Sequence, residues 1–186
     1  MGYWGYFVVG RGERPLAELD ALAGARGMTL RTSAPGGWQL WEYPSGDDGI
    51  GSMNDLAGQT GAPALFGYVM DSACVVVEAA APESGAWTTC LARAAMAGHL
   101  GAGTDGGEQD GGEQDGVQRE GLRLEDYFLE PRDAADRAVE WAAEAGHTVS
   151  AEALAEILTA EPGPGPGPVA ENLFFRLLDR LGVVPL

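Results

Sequence analysis

The sequence contains no lysine, because all 11 of its cationic side chains are arginine. This absence excludes chemistry that needs a lysine amine, such as Schiff-base catalysis, pyridoxal enzymes and the lysine of phosphate-binding loops. Positive charge is scarce overall, since 28 acidic residues give a formal net charge of −17 at pH 7. Binding to nucleic acids or to anionic membranes needs clustered cations, so we expect neither partner. A charge of this sign suits a basic protein partner, or it serves solubility alone.

Histidine and cysteine are also scarce, with two residues of each type. Cys74 and Cys90 match no metal-binding or redox spacing, and His99 and His147 cannot be tied to a nucleophile by spacing. The GxSxG motif, which surrounds the nucleophilic serine of many hydrolases, is absent as well. We therefore predict no metal site, no cofactor and no catalytic residue. Both thiols are expected to be free in a reducing, cytoplasmic setting.

Long apolar runs are missing too. No stretch approaches the roughly 20 consecutive apolar residues that a membrane-spanning helix needs. The opening residues lack the basic region and apolar stretch of a signal peptide, so we expect none. Hydrophobic residues nevertheless make up 45% of the 186-residue chain, which is enough to build a substantial core.

The strongest β pattern lies between residues 64 and 79, ALFGYVMDSACVVVEA. Two apolar runs, Leu65–Met70 and Cys74–Val77, flank a short polar break that begins at Asp71. Runs rich in valine and aromatic residues around such a break predict an antiparallel hairpin. Because both faces of both runs are apolar, we expect this hairpin to lie in the middle of a sheet that is covered on both sides.

The other patterns in the first hundred residues predict two further strands and three helices. The strands are Tyr3–Gly10 and Trp38–Tyr43. The helices are expected to begin at Pro15, at Ser52, which fits a capping box, and at Ser84 or its neighbour. The predicted order is therefore strand, helix, strand, helix, strand, strand, helix.

The second half of the chain begins with a low-complexity segment. Residues 101–116 contain the sequence GGEQD twice in succession and almost no apolar side chain. Such a segment cannot offset the entropy lost on ordering, so we predict a flexible acidic loop over residues 101–121. Beyond it, Leu122–Leu129 is apolar enough to pack back on the domain and is expected to be a strand.

Three helices are predicted near the end of the chain. They are Asp133–Ala145, a helix capped by Ser150, and Val169–Leu181, which has the clearest apolar stripe. A stripe as apolar as that of the Leu173–Leu181 helix must be covered, either by the sheet or by a second chain in a homodimer.

Together these patterns predict an α+β fold. We expect residues 1–100 to form a four-stranded, mostly antiparallel sheet covered by helices. Residues 101–121 would be the acidic, glycine-rich loop. Residues 122–186 would form a C-terminal part of three helices that packs on the sheet domain.

The candidate partner-binding residues combine aromatic and acidic side chains. Aromatic residues are enriched at protein contact surfaces, and a strand with two tryptophans cannot hide both of them easily. Acidic side chains next to them would attract a basic partner. The candidates are Trp38, Trp41, Glu42, Asp47, Asp48 and Asp71.

The leading functional hypothesis is a non-enzymatic, acidic protein-binding module, with an immunity or antitoxin-like role against a basic protein as its most concrete form. One alternative is a small-molecule-binding domain or enzyme with a pocket lined by the carboxylates of Glu42, Asp71 and Glu78. Another alternative is a self-associating structural protein that is joined through the last helix.

Three segments carry a family resemblance: the opening YWGYFVVGR, the central TGAPALFGYVMDSACVVVEA and the ending ENLFFRLLDRLGVV. They resemble small acidic proteins of Streptomyces and related actinobacteria that have no assigned function. The resemblance covers the sheet-forming half and the last helix. It implies no catalytic motif.

Overall fold

The structure is a computed structural model that describes residues 2–44, 49–98, 124–161 and 169–185. Its centre is an antiparallel sheet of six strands in the order β2-β3-β1-β4-β5-β6. The strands are β1 Gly5–Arg11, β2 Thr29–Ala34, β3 Trp38–Tyr43, β4 Ala64–Met70, β5 Cys74–Ala81 and β6 Gly85–Leu91. The α+β class and the antiparallel sheet are therefore confirmed, whereas the predicted number of four strands is wrong.

The first additional strand is β2, which lies at one end of the sheet and pairs with β3. Its sequence TLRTSA has no apolar alternation, and all but its last residue are exposed. A polar, charged strand is typical of a sheet edge, where it discourages pairing with other chains. Because its stability comes from pairing with β3, its own sequence carries little strand signal.

The second additional strand is β6, which the sequence pattern predicted to be a helix. The turn at residues 82–84 instead returns the chain along β5, and Val77 pairs with Thr89. The spacing of Trp87, Cys90 and Leu91 fits a helix, but these residues are also compatible with a strand that is buried on both sides. Helical structure begins only later, at residues 93–98, which we label α2.

The predicted hairpin is confirmed as β4 and β5, with Leu65 opposite Ala79 and Met70 opposite Cys74. It lies inside the sheet, since β4 also pairs with β1 and β5 also pairs with β6. Its two faces are not equally buried, however. Leu65, Gly67 and Val69 are buried, whereas the residues between them are half-buried. The expectation of complete cover on both faces therefore holds for one face only.

The helices that the structure describes are α1 Met53–Thr60, α2, α3 Leu124–Tyr127, α4 Pro131–Glu144, α5 Ala151–Thr159 and α6 Ala170–Leu181. Two further predicted elements are wrong. The helix expected after Pro15 is a pair of short 3₁₀ turns, Leu16–Glu18 and Asp20–Leu22, and the strand expected at Leu122–Leu129 is the short helix α3. The segment at residues 101–121 lies outside the described residues.

Several helix ends form as local chemistry predicts. The side chain of Ser52 accepts a hydrogen bond from the Asp55 backbone N–H, and Ser150 does the same for Ala153. These oxygens satisfy N–H groups that have no partner within the first helical turn. Gly182 ends α6 in the left-handed conformation, with φ of 83°, which glycine adopts without steric cost.

The core has two parts, one on each side of the sheet. The larger part joins Phe7, Val9, Leu65 and Val77 to the inward residues of α4, α5 and α6. The smaller part joins Val8 and other residues of the opposite face to α1 and the 3₁₀ turns. We call the first side the helical face and the second side the α1 face.

The apolar stripe of α6 is buried within the chain, since Leu173, Phe174, Leu177, Leu178 and Leu181 are all at most 2% exposed. The chain's own sheet and helices therefore cover this stripe. A homodimer through the Leu173–Leu181 helix would therefore have to use the other side of α6, and it stays a prediction.

Candidate functional site

The structure separates the two predicted tryptophans of β3. Trp38 is 2% exposed, and its ring lies 5.9 Å from that of Trp141 in the larger core. Trp41 is half-buried on the α1 face and lines a shallow groove of about 280 Å³ beside Leu30, an exposed leucine of the edge strand. Trp38 also belongs to the lining of this groove, but it is almost fully buried, so Trp41 is the more accessible of the two.

Gln39 holds the rim of this groove. Its side-chain amide donates hydrogen bonds to the carbonyl oxygens of Gly12, at 3.0 Å, and Arg14, at 2.9 Å. Its oxygen accepts from the Leu16 backbone N–H at 3.0 Å and from the Trp41 indole N–H at 2.8 Å. Because both the nitrogen and the oxygen of this buried amide are hydrogen-bonded, Gln39 is held in place, and its contact with the indole N–H fixes the orientation of Trp41.

Glu42 already has partners inside the protein. Its carboxylate lies 3.1 Å from the guanidinium of Arg31 on the edge strand. On the same face, burial and then the neighbouring Glu42 raise the pKa of Tyr3 well above its usual range. The contact that the structure shows for Glu42 is therefore the one with the edge strand.

Asp71 lies in the turn between β4 and β5, where both it and Ser72 adopt φ of 53°. Its carboxylate accepts a hydrogen bond from the Gly2 backbone N–H at 2.7 Å. Ser72 donates its hydroxyl hydrogen to Glu171 at the start of α6 and accepts from the Tyr3 backbone N–H at 2.8 Å. This turn therefore ties the N-terminal segment to the last helix. Asp47 and Asp48 lie outside the described residues.

The carboxylates of Glu42 and Glu78 do not converge. Glu42 is opposite Phe7 in the β1–β3 register, whereas Glu78 is opposite Phe66, which pairs with Val8. Neighbouring residues of a strand point to opposite faces, so the two side chains lie on opposite sides of the sheet. In the part of the chain that the structure describes, no group of three or more His, Cys, Asp or Glu residues could hold a metal ion.

A larger groove, which the sequence did not indicate, lies at the other end of the sheet. It has a volume of about 910 Å³ and runs between the outer edge of β6 and the helices α3 and α4. We call it the β6 groove. Its lining includes Ala86, Trp87, Tyr127, Glu130, Asp133 and Asp136.

The charge of the β6 groove is negative. Glu130, Asp133 and Asp136 are exposed, and none of the three forms an ion pair within the described ranges. Among the described residues of the lining, the one cation is Arg137, which donates to the carbonyl oxygens of the β6 hairpin, at 2.7 Å to Ser84. It also lies 3.6 Å from the carboxylate of Glu140. The arginine is therefore engaged, whereas the three carboxylates are open to a cationic ligand.

Aromatic side chains also line the groove, among them Trp87 and Tyr127. Trp87 is 5% exposed, and its indole N–H has no hydrogen-bond partner in the described chain. Tyr127 is 52% exposed on the rim. Two hydrogen bonds hold the segment after α3 against β6. The Leu129 N–H donates to the Thr88 carbonyl oxygen at 3.0 Å, and the Thr89 hydroxyl donates to the Leu129 carbonyl oxygen at 3.0 Å. The site combines negative charge, an exposed aromatic ring and a buried donor without an acceptor.

Glu144 holds the groove's two walls together. Its carboxylate accepts hydrogen bonds from the backbone N–H groups of Glu83 and Ser84, both at 2.8 Å, and from the Ser84 hydroxyl. Partial burial raises the pKa of Glu144, but these hydrogen bonds outweigh that effect and lower it. The ionised form is therefore the one that joins α4 to the β5–β6 turn.

This arrangement predicts a pH-dependent contribution to stability. A carboxyl whose pKa is lowered by folding stabilises the protein above its unfolded pKa, and the contribution is lost as the pH falls through the lowered value. We expect Glu144→Gln to reduce the free energy of unfolding at pH 7. The difference in unfolding free energy between the variant and the wild type should shrink below about pH 4. Urea unfolding from pH 7 to pH 3 measures it. Glu156→Gln, at an exposed position beyond the first turn of α5, is the control; a constant difference across this range would contradict the assignment.

Sequence reasoning missed the β6 groove because the groove depends on β6 being a strand. Once this segment was assigned to a helix, no sheet edge remained for α4 to face. One usable signal was present: Asp133 and Asp136 are three residues apart, which places them on the same side of a helix.

Comparison with known proteins gives no relative from which the role of these grooves could be inferred. No protein-family model matches the chain, and neither curated proteins nor solved structures give a significant match. The resemblance to small acidic actinobacterial proteins stays a prediction. None of the helices in the described ranges is both long and apolar enough to cross a bilayer.

Proposed function

We propose that this protein is an acidic protein-binding module that holds a basic segment of a partner protein in the β6 groove. The observation that supports the proposal is the set of three exposed carboxylates, Glu130, Asp133 and Asp136, without cationic partners in the described chain. An immunity or antitoxin-like role, in which binding blocks a basic partner's surface, is the most concrete form of this function.

The electrostatics of the whole chain favour the same class of partner. The net charge of −17 would attract a basic protein over a distance, and the carboxylates of the β6 groove would then orient it. Such attraction speeds association and weakens as salt is added. The exposed ring of Tyr127 adds an apolar contact beside the charges, as is common at the centre of protein interfaces.

Removing the charges of the β6 groove tests the proposal. The variant carries Glu130→Gln, Asp133→Asn and Asp136→Asn, and the probe is a labelled lysine-rich peptide measured by fluorescence anisotropy. Each exposed ion pair is worth about 0.2–1 kcal/mol, so we expect the three changes together to weaken binding about tenfold. Raising the salt concentration should weaken wild-type binding and narrow the difference between the two proteins.

A control variant separates the groove from the net charge. Glu13→Gln, Glu152→Gln and Glu156→Gln remove the same number of charges at exposed positions outside the groove lining. We expect this control to bind the peptide within about twofold of wild type, since distant surface charges are largely screened. Equal losses in the two variants would show that binding follows net charge alone and would overturn the site.

A further inference from the structure

The outer edge of β6, which forms one side of the β6 groove, is already hydrogen-bonded within the chain. The guanidinium of Arg137 donates to the carbonyl oxygens of Ser84, at 2.7 Å, and Ala86, at 3.1 Å. The carbonyl oxygen of Thr88 accepts from the Leu129 N–H at 3.0 Å. These acceptors lie at alternate residues along one edge. A partner segment that paired with β6 as a further strand would have to break these bonds, so the groove does not favour a strand-like ligand.

The carboxylates of the groove follow the axis of α4. Asp133 and Asp136 are three residues apart on this helix, and Glu130 precedes it as the N-cap residue. At a rise of about 1.5 Å per residue, the three positions span about 9 Å. A helix that lies along α4 would present side chains at i, i+3 and i+7 over about 10.5 Å on one face. Three side chains on one face of a strand would span about 13.5 Å and extend beyond the carboxylates.

The groove also has an apolar lining, which suits the second face of an amphipathic helix. Tyr127 is 52% exposed, Leu129 is half-buried, and Trp87 and Phe128 belong to the larger core. Trp87 is 5% exposed, and its indole N–H has no partner in the described chain. Because buried polar groups are almost always hydrogen-bonded, this donor is a second feature that points to a bound group. The volume of about 910 Å³ has room for several side chains of a ligand.

We propose that the segment held in the β6 groove is a basic amphipathic helix, with cationic side chains at i, i+3 and i+7 and apolar side chains on the neighbouring face. Its cations would meet the carboxylates of Glu130, Asp133 and Asp136. Its apolar side chains would meet Tyr127 and Leu129, as in other complexes where a helix lies in a groove. The inference rests on the proposed function for the position of the site and the charge of the partner, and it adds the partner's conformation.

The test compares three labelled peptides of equal charge on the full-length protein by fluorescence anisotropy. The matching peptide is a hydrocarbon-stapled helix with lysines at i, i+3 and i+7 and leucines on the neighbouring face. The scrambled peptide is a stapled helix of the same composition, with its lysines distributed around all sides. The proline peptide is the unstapled matching sequence with a central proline, which prevents the helix. We expect the matching peptide to bind at least about fivefold more tightly than either control, because only its three cations meet the carboxylates together.

Single substitutions place the matching peptide on α4. Asp133→Asn and Asp136→Asn should each weaken its binding about threefold and change the affinity of the scrambled peptide by less than about twofold. Glu156→Gln, at an exposed position outside the groove lining, is the control and should change neither affinity by more than about 1.5-fold. An unstapled, ¹³C-labelled matching peptide should also show helical Cα chemical shifts when it is bound.

The outcomes separate this inference from the proposed function. Equal affinity for all three peptides, or extended Cα shifts in the bound peptide, would overturn the helix; if binding is still lost in the triple groove variant, the proposed function stands. Absence of binding by every peptide would overturn both proposals. A preference for the matching peptide that persists in the triple groove variant would also overturn the inference, because the helix would then bind elsewhere.

Discussion

Replacing Trp141 by alanine is expected to lower the free energy of unfolding by about 3–5 kcal/mol, because it opens a large cavity in the core. Trp141 is fully buried, at 0% exposure, and its ring packs 5.9 Å from that of Trp38. Its indole N–H donates to the carbonyl oxygens of Ala64, at 3.2 Å, and Ala80, at 3.1 Å. The substitution would therefore also leave two buried acceptors with one partner fewer.

Guanidinium unfolding followed by far-UV circular dichroism measures this effect. Single domains are stable by about 5–15 kcal/mol, so Trp141→Ala should bring the chain close to its stability limit. Trp4→Ala is the matched control, since that tryptophan is 44% exposed and should change stability by no more than about 0.5 kcal/mol. If the two variants unfold at the same denaturant concentration, the assignment of Trp141 to the core is wrong.

Trp141 also bears on the candidate site. It lies on the inner side of α4, whereas Asp133 and Asp136 of the same helix are exposed in the β6 groove. The position of the two carboxylates therefore depends on the contact between Trp141 and the sheet. A variant that folds without this contact should also bind basic peptides less well.

Replacing Gly67 by alanine is expected to destabilise the protein by about 1–3 kcal/mol, because it overpacks the contact between sheet and α6. Gly67 is a buried residue of β4, and a Cβ atom there would lie 2.6 Å from Cε2 of Phe174. That ring stacks against Phe7 and is itself fully buried, so it has little freedom to move away. The cost follows from the close approach of α6, since alanine is otherwise at least as favourable in a strand as glycine.

Gly58→Ala provides the matched control for this prediction. Gly58 is exposed in α1, and a Cβ atom there would meet nothing within 4 Å. Alanine should stabilise the helix at this position by about 0.5–1 kcal/mol, so the same substitution has opposite signs at the two sites. In a Phe174→Leu background, Gly67→Ala should cost less than in wild type, as expected for coupled neighbours. Strict additivity of the two changes would refute the steric explanation.

The elements that sequence reasoning predicted correctly are those whose signals are local. The Ala64–Ala81 hairpin is defined by two apolar runs and a polar turn between them. The last helix follows from an apolar stripe at helical spacing, and Ser52, Ser150 and Gly182 mark helix ends through contacts within a few residues. In each case the residues that form the structure are neighbours in the chain.

The elements that it missed depend on pairing over longer distances. The polar strand β2 exists because β3 is beside it, and β6 is a strand because the turn after β5 returns it to the sheet. The spacing of Trp87, Cys90 and Leu91 is compatible with both a helix and a strand. Local periodicity cannot distinguish the two when the segment is short and apolar on several sides.

Composition alone determined the net charge of this protein and its lack of lysine chemistry. Tertiary structure alone decided which side chains meet. Strand register placed Glu42 and Glu78 on opposite faces and aligned Tyr43, Tyr6 and Tyr68, while the packing of α4 against β6 collected three carboxylates in one groove. The physical reason is that charge adds up irrespective of order, whereas a binding surface requires residues distant in the chain to be brought side by side.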